Sequence, residues 1–94
     1  MPYIEKAGRP EFDSAIEKLN PVTEGDLNYI FARLAQRYLV AHGLRYQHVN
    51  AVVGALECAK LEAYRRIAAP YEDIKISENG DVLESELARR LGAE

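Results

Sequence analysis

One lysine, Lys60, interrupts an apolar helical stripe. At about 100° per residue, its side chain falls near the centre of one sector of a predicted helix, flanked by Glu57 and Tyr64. The apolar residues of that sector are Val49, Val52, Val53, Leu56, Ala63 and Ile67. An ammonium group is costly to bury alone, so we predict that Lys60 pairs with Glu57 while its charged head reaches water or a subunit boundary. In the alternative, Lys60 binds an anion such as phosphate or carboxylate.

Acidic residues near Lys60 could support metal chemistry. Helical carboxylates can hold Mg²⁺ or Mn²⁺ and position a water for phosphate-ester hydrolysis, and the acids concerned are Glu57, Glu62, Glu72 and Asp73. The central helix has no E-x-x-E pair, however, and Glu57 and Glu62 face different directions. Local pairing of Glu62 with Arg65 or Arg66 is the stronger interpretation. We therefore predict no catalytic residue.

Arginines beside tyrosines in the same stretch could stack on nucleic acid. The chain carries 12 basic and 15 acidic residues, a net charge of −3, which argues against a nucleic-acid partner because such domains are usually basic. The candidate polar cluster consists of Glu57, Lys60, Glu62, Tyr64, Arg65, Arg66, Tyr71, Glu72 and Asp73.

The remaining residues with ligand chemistry predict no metal site and no cofactor. His42 and His48 straddle a predicted turn, and no cysteine or further histidine stands at metal-ligand spacing. Cys58, the single cysteine, has no histidine partner at fixed spacing and is interpreted as a packing residue. Residues 75–86 resemble a calcium-binding loop, but Lys75 stands at the position of the first ligand, which must be an oxygen donor. We therefore predict no calcium site there.

The length and composition predict one small cytoplasmic domain spanning residues 1–94. A chain of 94 residues has a thin core, which favours oligomerisation. A single cysteine cannot form an intrachain disulfide and fits a reducing compartment. The N-terminus shows no signal sequence, and no apolar stretch approaches the roughly 18 residues of a membrane span.

Two helices are predicted before the polar cluster. Residues 1–8 are expected to form an extended arm. A first helix over 9–19 opens with Pro10 and acids in its first turn. The second begins near Thr23, where Asp26 completes a variant capping box, and ends at Gly43. Its apolar stripe consists of Leu27, Ile30, Phe31, Leu34, Tyr38 and Ala41.

A long third helix is predicted over residues 47–69, where Pro70 ends or kinks it. The segment after Pro70 is either a helix that ends at Gly80 or a hairpin that turns at Asn79-Gly80. Residues 85–91 form either a last short helix or part of a frayed C-terminal extension over 83–94.

Several stretches, taken in order, resemble one family of short bacterial, archaeal and phage proteins known only as a domain of unknown function. The stretches are MPYI at the start, GDLNYI at 25–30, LECAKLEAYRR at 56–66 and APYEDIKISENGDV at 69–82. The resemblance covers the chain to about residue 83 and implies no activity. Family sequences carry a lysine where Ile74 stands and an aromatic residue where Leu83 stands, and this chain continues with ESELARRLGAE. Matching positions outside the polar cluster are Asn28, Tyr29, Pro70, Asn79, Gly80 and Asp81.

The fold class predicted from these patterns is all-α, a bundle of three or four helices. We predict a non-enzymatic homodimeric interaction or regulatory module with an unidentified protein partner. Ala51, Ala55 and Cys58, on a second face of the third helix, form the candidate dimer surface. The alternative function is a metal-dependent protein that binds or hydrolyses a phosphate or nucleotide through the polar cluster.

Overall fold

The computed structural model describes residues 3–92, and throughout that range the regular structure is helical, without a strand. This confirms the all-α prediction. The α-helices are α1 (Pro10–Ile16), α2 (Glu24–His42), α3 (Tyr46–Ala63), α4 (Ala69–Asn79) and α5 (Ser85–Arg90). The chain divides into two compact units, Met1–Cys58 and Ala59–Glu94.

The arm before α1 is only partly extended. Residues Lys6–Gly8 form a 3₁₀ turn, which corrects the prediction of an extended arm over 1–8, of which Met1 and Pro2 lie outside the described residues. The Arg9 guanidinium donates to the carbonyl oxygen of Ile4 from Nε at 3.3 Å and from Nη2 at 3.1 Å. This contact holds the extended residues 3–5 beside the start of α1.

The second helix begins and ends where its sequence signals predict. The Asp26 backbone N–H donates to the Thr23 hydroxyl at 3.1 Å, and the Asp26 carboxylate accepts from the Thr23 N–H at 3.2 Å, so the capping box is complete. Gly43 ends the helix with φ +103°, a conformation that strains any residue with a side chain. A short corner then leads into α3 at Tyr46.

The helix does not end at Pro70, so of the two alternatives predicted there, an end or a kink, the end is wrong. Regular α-helix gives way at Tyr64 to a π-helical turn over Tyr64–Ala68, and α4 follows directly. The Ala69 N–H donates to the Tyr64 carbonyl, five residues back. This wider turn accommodates Pro70, which has no N–H and whose ring would collide with a carbonyl in a regular α-helix.

The segment after Pro70 is a helix, so the hairpin alternative is wrong. Gly80, with φ +89°, ends α4 and donates its N–H to the Ile76 carbonyl at 2.9 Å. Within the predicted frayed extension over 83–94, Ser85–Arg90 form α5, and residues 93 and 94 lie outside the described range. Glu86 forms ion pairs with Arg89 at 2.7 Å and with Arg90 at 3.1 Å. These pairs join neighbouring turns and stabilise this short helix.

No residue from 3 to 92 is buried. In the first unit, apolar side chains of α2 and α3 line an open groove between the two helices. This groove takes the place that a closed core would have in a compact bundle.

Candidate functional site

A concave surface of the first unit lies between α2 and α3. It encloses about 330 Å³ and is lined by Phe31, Leu34, Ala35, Tyr38, Ala51, Val52, Ala55 and Leu56. We call this surface the apolar groove. Its lining contains no charged side chain. Such a surface can bind apolar side chains but has little to offer a charged substrate.

Large side chains of the apolar groove remain open to solvent. The exposed fraction is 60 % at Leu34, 47 % at Phe31 and 44 % at Leu56. The lining also contains small residues, Ala35 on α2 and Ala51 and Ala55 on α3. Both helices therefore contribute large and small side chains, the two components of interdigitating helix packing.

Sequence periodicity accounts for most of this lining. Phe31, Leu34 and Tyr38 belong to the predicted apolar stripe of α2, and Val52 and Leu56 belong to that of α3. The groove also includes Ala51 and Ala55, which we predicted on the candidate dimer surface. Cys58, the third member of that surface, is a half-buried free thiol outside the groove lining.

Three rings meet at the corner where α2 leads into α3. The ring centroids of Tyr38 and His42 lie 4.1 Å apart in a stacked arrangement. His48 lies edge-on to both, at 5.7 Å from His42 and 6.4 Å from Tyr38. We call these three residues the ring cluster. Because Tyr38 also lines the apolar groove, the ring cluster lies at its edge.

Backbone carbonyls determine the orientation of both imidazoles. Nδ1 of His42 lies 2.9 Å from the Tyr38 carbonyl oxygen, and Nδ1 of His48 lies 2.9 Å from that of Gly43. A carbonyl can only accept, so each Nδ1 carries the hydrogen. In the neutral rings, the lone pair is therefore on Nε2.

The sequence did not predict the ring cluster. His42 and His48 are separated by six positions, a spacing that places side chains together neither on a helix nor on a strand. They meet because the chain turns between α2 and α3, where Gly43 has φ +103°. The one available signal was the His42-Gly43 pair at the end of an amphipathic helix, followed closely by a second histidine.

The predicted polar cluster is spread along successive helical turns. Glu57, Lys60 and Glu62 lie on α3, the next three members lie in the π-helical turn, and Tyr71, Glu72 and Asp73 lie on α4. Among residues 3–92, no group of three or more histidine, cysteine, aspartate or glutamate side chains is placed to hold a metal ion. The site that these residues were expected to form, and the Glu57–Lys60 pair, stay predictions.

Two contacts in and beside this stretch join neighbouring helical turns. Arg66 approaches Glu62 at 4.0 Å, which is one of the two pairings predicted for that acid. The Lys75 ammonium lies 5.5 Å from the ring centroid of Tyr71 and 3.1 Å from the Glu78 carboxylate. The Lys75–Glu78 pair is exposed, so water screens it and it contributes little to stability.

No helix in the described part of the chain has the length and apolar character needed to cross a bilayer. One family model, described as a domain of unknown function (DUF6899), matches residues 1–82. The resemblance seen in the sequence motifs is thereby confirmed at the level of a family without an assigned activity. Searches of curated proteins and of solved structures found no match.

Proposed function

We propose that this chain, which belongs to the DUF6899 family, is a non-enzymatic interaction module that works as a homodimer. The apolar groove of one chain receives the same groove of a second copy, and the paired helices present a surface for a further protein partner in a regulatory role. A cytoplasmic location is part of this proposal, supported by the single cysteine.

The exposed apolar surface is the observation that carries the proposal. Within the first unit, large apolar side chains that line the groove stay in contact with solvent, with exposed fractions of 60 % at Leu34, 47 % at Phe31 and 44 % at Leu56. An apolar face gains free energy only when it is buried against another surface. A second copy would supply that surface, and with it the core that residues 3–92 lack.

The shape of the apolar groove favours a second copy as its occupant. A two-fold contact places the same surface on both sides, so each side must offer both projections and depressions. The groove does so, with Leu34 and Phe31 on α2 and Ala51 and Ala55 on α3. Leucine from one copy can enter the depression over the alanines of the other, as in packed helical bundles.

Charge also favours this occupant. In a symmetric interface, the charged residues of one chain face the same patch, with the same charges, on the other chain. Like charges in contact oppose association. The lining of the apolar groove is free of charged side chains, so self-pairing meets no such repulsion there. No comparable observation favours the metal-dependent phosphate or nucleotide function, which stays a prediction from the sequence.

A pair of charge substitutions on α2 tests the proposal. Leu34→Glu places a carboxylate in the apolar groove, whereas Val40→Glu places one on the opposite side of the same helix, where Val40 is 71 % exposed. Sedimentation equilibrium should give twice the chain mass for the wild type and for Val40→Glu. Leu34→Glu should give the single-chain mass, with the dimer weakened about a hundredfold or more because a charge would be desolvated without a partner.

If the apolar groove is covered by something other than a second copy, sedimentation gives a different mass. If the C-terminal unit of the same chain or a different protein covers it, the wild type sediments as a single chain, and the proposal is wrong. Equal dissociation of Leu34→Glu and Val40→Glu would place the dimer contact elsewhere. Circular dichroism of each variant at high concentration separates dissociation from loss of helix.

A further inference from the structure

We propose that the ring cluster holds a divalent transition-metal ion, with Zn²⁺ as the preferred species, between His42 and His48. The inference goes beyond the homodimer, because both ligands come from one chain and the argument does not depend on how two copies pair. It rests on the orientation, separation and access of the two imidazoles.

Both imidazoles are already in the tautomer that binds metal through Nε2. Their Nδ1 hydrogens are donated to the carbonyl oxygens of Tyr38 and Gly43, each at 2.9 Å. A metal-ligating histidine commonly donates its second ring nitrogen in this way, which fixes the ring and leaves the other lone pair for the ion. Binding would therefore require no change of tautomer.

The distance between the rings suits one shared ion. Zinc–nitrogen bonds are about 2 Å long, so two imidazoles on a tetrahedral zinc hold their centroids about 5 Å apart. The centroids of His42 and His48 lie 5.7 Å apart, with the ring planes inclined at 64°. His42 is exposed and His48 is only half-buried, so an ion and its water ligands have access to both rings.

Neighbouring residues support the rings without supplying a third ligand. The Tyr38 ring stacks on His42 at 4.1 Å and limits its rotation. The Gln47 amide nitrogen lies 3.4 Å from Nε2 of His48, where it can donate weakly to the lone pair that the ion would use. Since no third histidine, cysteine or carboxylate joins them in the described range, water completes the coordination. Imidazole nitrogen with water suits Zn²⁺, Cu²⁺ or Ni²⁺ and not Mg²⁺ or Ca²⁺.

A zinc titration of the untagged protein, followed by side-chain ¹H–¹⁵N NMR of histidine, tests the inference. The chain has two histidines, so its imidazole nitrogens can all be assigned. Before zinc, both rings should show hydrogen on Nδ1. At one equivalent of Zn²⁺ per chain, the Nε2 resonances of both residues should shift together while Nδ1 keeps its hydrogen.

Variants separate this site from other zinc ligands. His42→Ala and His48→Ala should each weaken zinc binding about tenfold or more, measured by calorimetry. Gln47→Ala should bind zinc at least as tightly as the wild type, and Cys58→Ser should leave binding unchanged. A shift at one histidine alone, saturation at one ion per two chains, or loss of binding in Cys58→Ser would overturn the two-histidine site. Because the NMR measurement uses the wild-type chain, the test does not depend on the folding of either alanine variant.

Discussion

The apolar groove and the polar stretch from Glu57 to Asp73 differ in where their side chains find partners. In the polar stretch, contacts form between successive turns, as between Glu62 and Arg66. Along the groove, leucine and phenylalanine side chains remain about half exposed. Charged side chains can be satisfied by neighbours on one helix or by water, whereas an apolar face gains free energy only against another surface. Substitutions in the groove should therefore change association, and those in the polar stretch should change little.

The largest effect is expected from truncation of an aromatic side chain in the apolar groove. Phe31→Ala should lower the free energy for converting the folded dimer into unfolded chains by about 3 kcal/mol. The reason is that the substitution removes a large apolar group from the interface. Tyr46→Ala is the matched control: Tyr46 is 87 % exposed and lies outside the groove lining. Urea unfolding at several protein concentrations measures both. Equal losses in the two variants would contradict the assignment of the groove as the interface.

A smaller effect is expected at the corner that brings α2 and α3 together. Gly43 has φ +103°, so Gly43→Ala should cost about 1–3 kcal/mol from backbone strain alone. Gly54, inside α3, has no atom within 4 Å of an added Cβ, so Gly54→Ala should stabilise by about 0.5–1 kcal/mol. Thermal unfolding of both variants should show shifts of opposite sign. Two shifts of the same sign would mean that the corner geometry is wrong.

The start of α2 should give a distinct pH dependence. Hydrogen bonds from the backbone N–H groups of Val22 and Thr23 lower the pKa of Asp26 from 3.8. A lowered folded-state pKa adds stability above the unfolded value, and that stability is lost as the pH falls through the lowered pKa. Asp26→Asn should therefore be less stable than the wild type at pH 7, and the difference should shrink below pH 4. Unfolding at pH 7, 4 and 2.5 measures it.

Thr23→Ala is the control for that experiment. It should cost about 1 kcal/mol through loss of the hydroxyl cap. The backbone donors that contribute most to lowering the Asp26 pKa remain in this variant, so it should keep the wild-type dependence on pH. A pH dependence that survives in Asp26→Asn would assign the effect to another acid.

The smallest effects are expected in the polar stretch. Arg66→Met should change the free energy of unfolding by less than about 0.5 kcal/mol, because its contact with Glu62 is long, at 4.0 Å, and the Arg66 side chain is 64 % exposed. Lys60→Met should keep or raise the melting temperature, since a lysine on an apolar stripe adds no stability. Neither variant should alter the mass of the dimer. A loss of association in either one would extend the interface beyond the apolar groove.

Local signals predicted the part of the fold that depends on local geometry. Thr23, Asp26 and Gly43 marked both ends of α2 because capping and positive φ are properties of a few neighbouring residues. Pro70 was predicted to end or kink the helix, and it does not end it. A proline without an N–H is compatible with a helix if the preceding turn widens to π geometry, and the sequence does not show whether the surrounding helix will adopt it.

The candidate site was predicted only in part. Periodicity identified the apolar faces of α2 and α3, including Ala51 and Ala55, but it could not show that they leave a groove open. The contact of His42 with His48 depends on the path of the chain through Gly43, which no helical or strand period describes. The polar cluster was predicted because a charge interrupts an apolar stripe, and its contacts include the Glu62–Arg66 pair and the cation–π contact of Tyr71 with Lys75.

The measurement to make first is the mass of the wild-type chain in solution over a wide range of concentration, together with its melting temperature at each concentration. A homodimer predicts about twice 10.6 kDa and a melting temperature that rises with protein concentration, because dissociation accompanies unfolding. A single-chain mass with a cooperative melting transition independent of concentration would contradict it, since the chain would then be stable with its apolar groove unpaired.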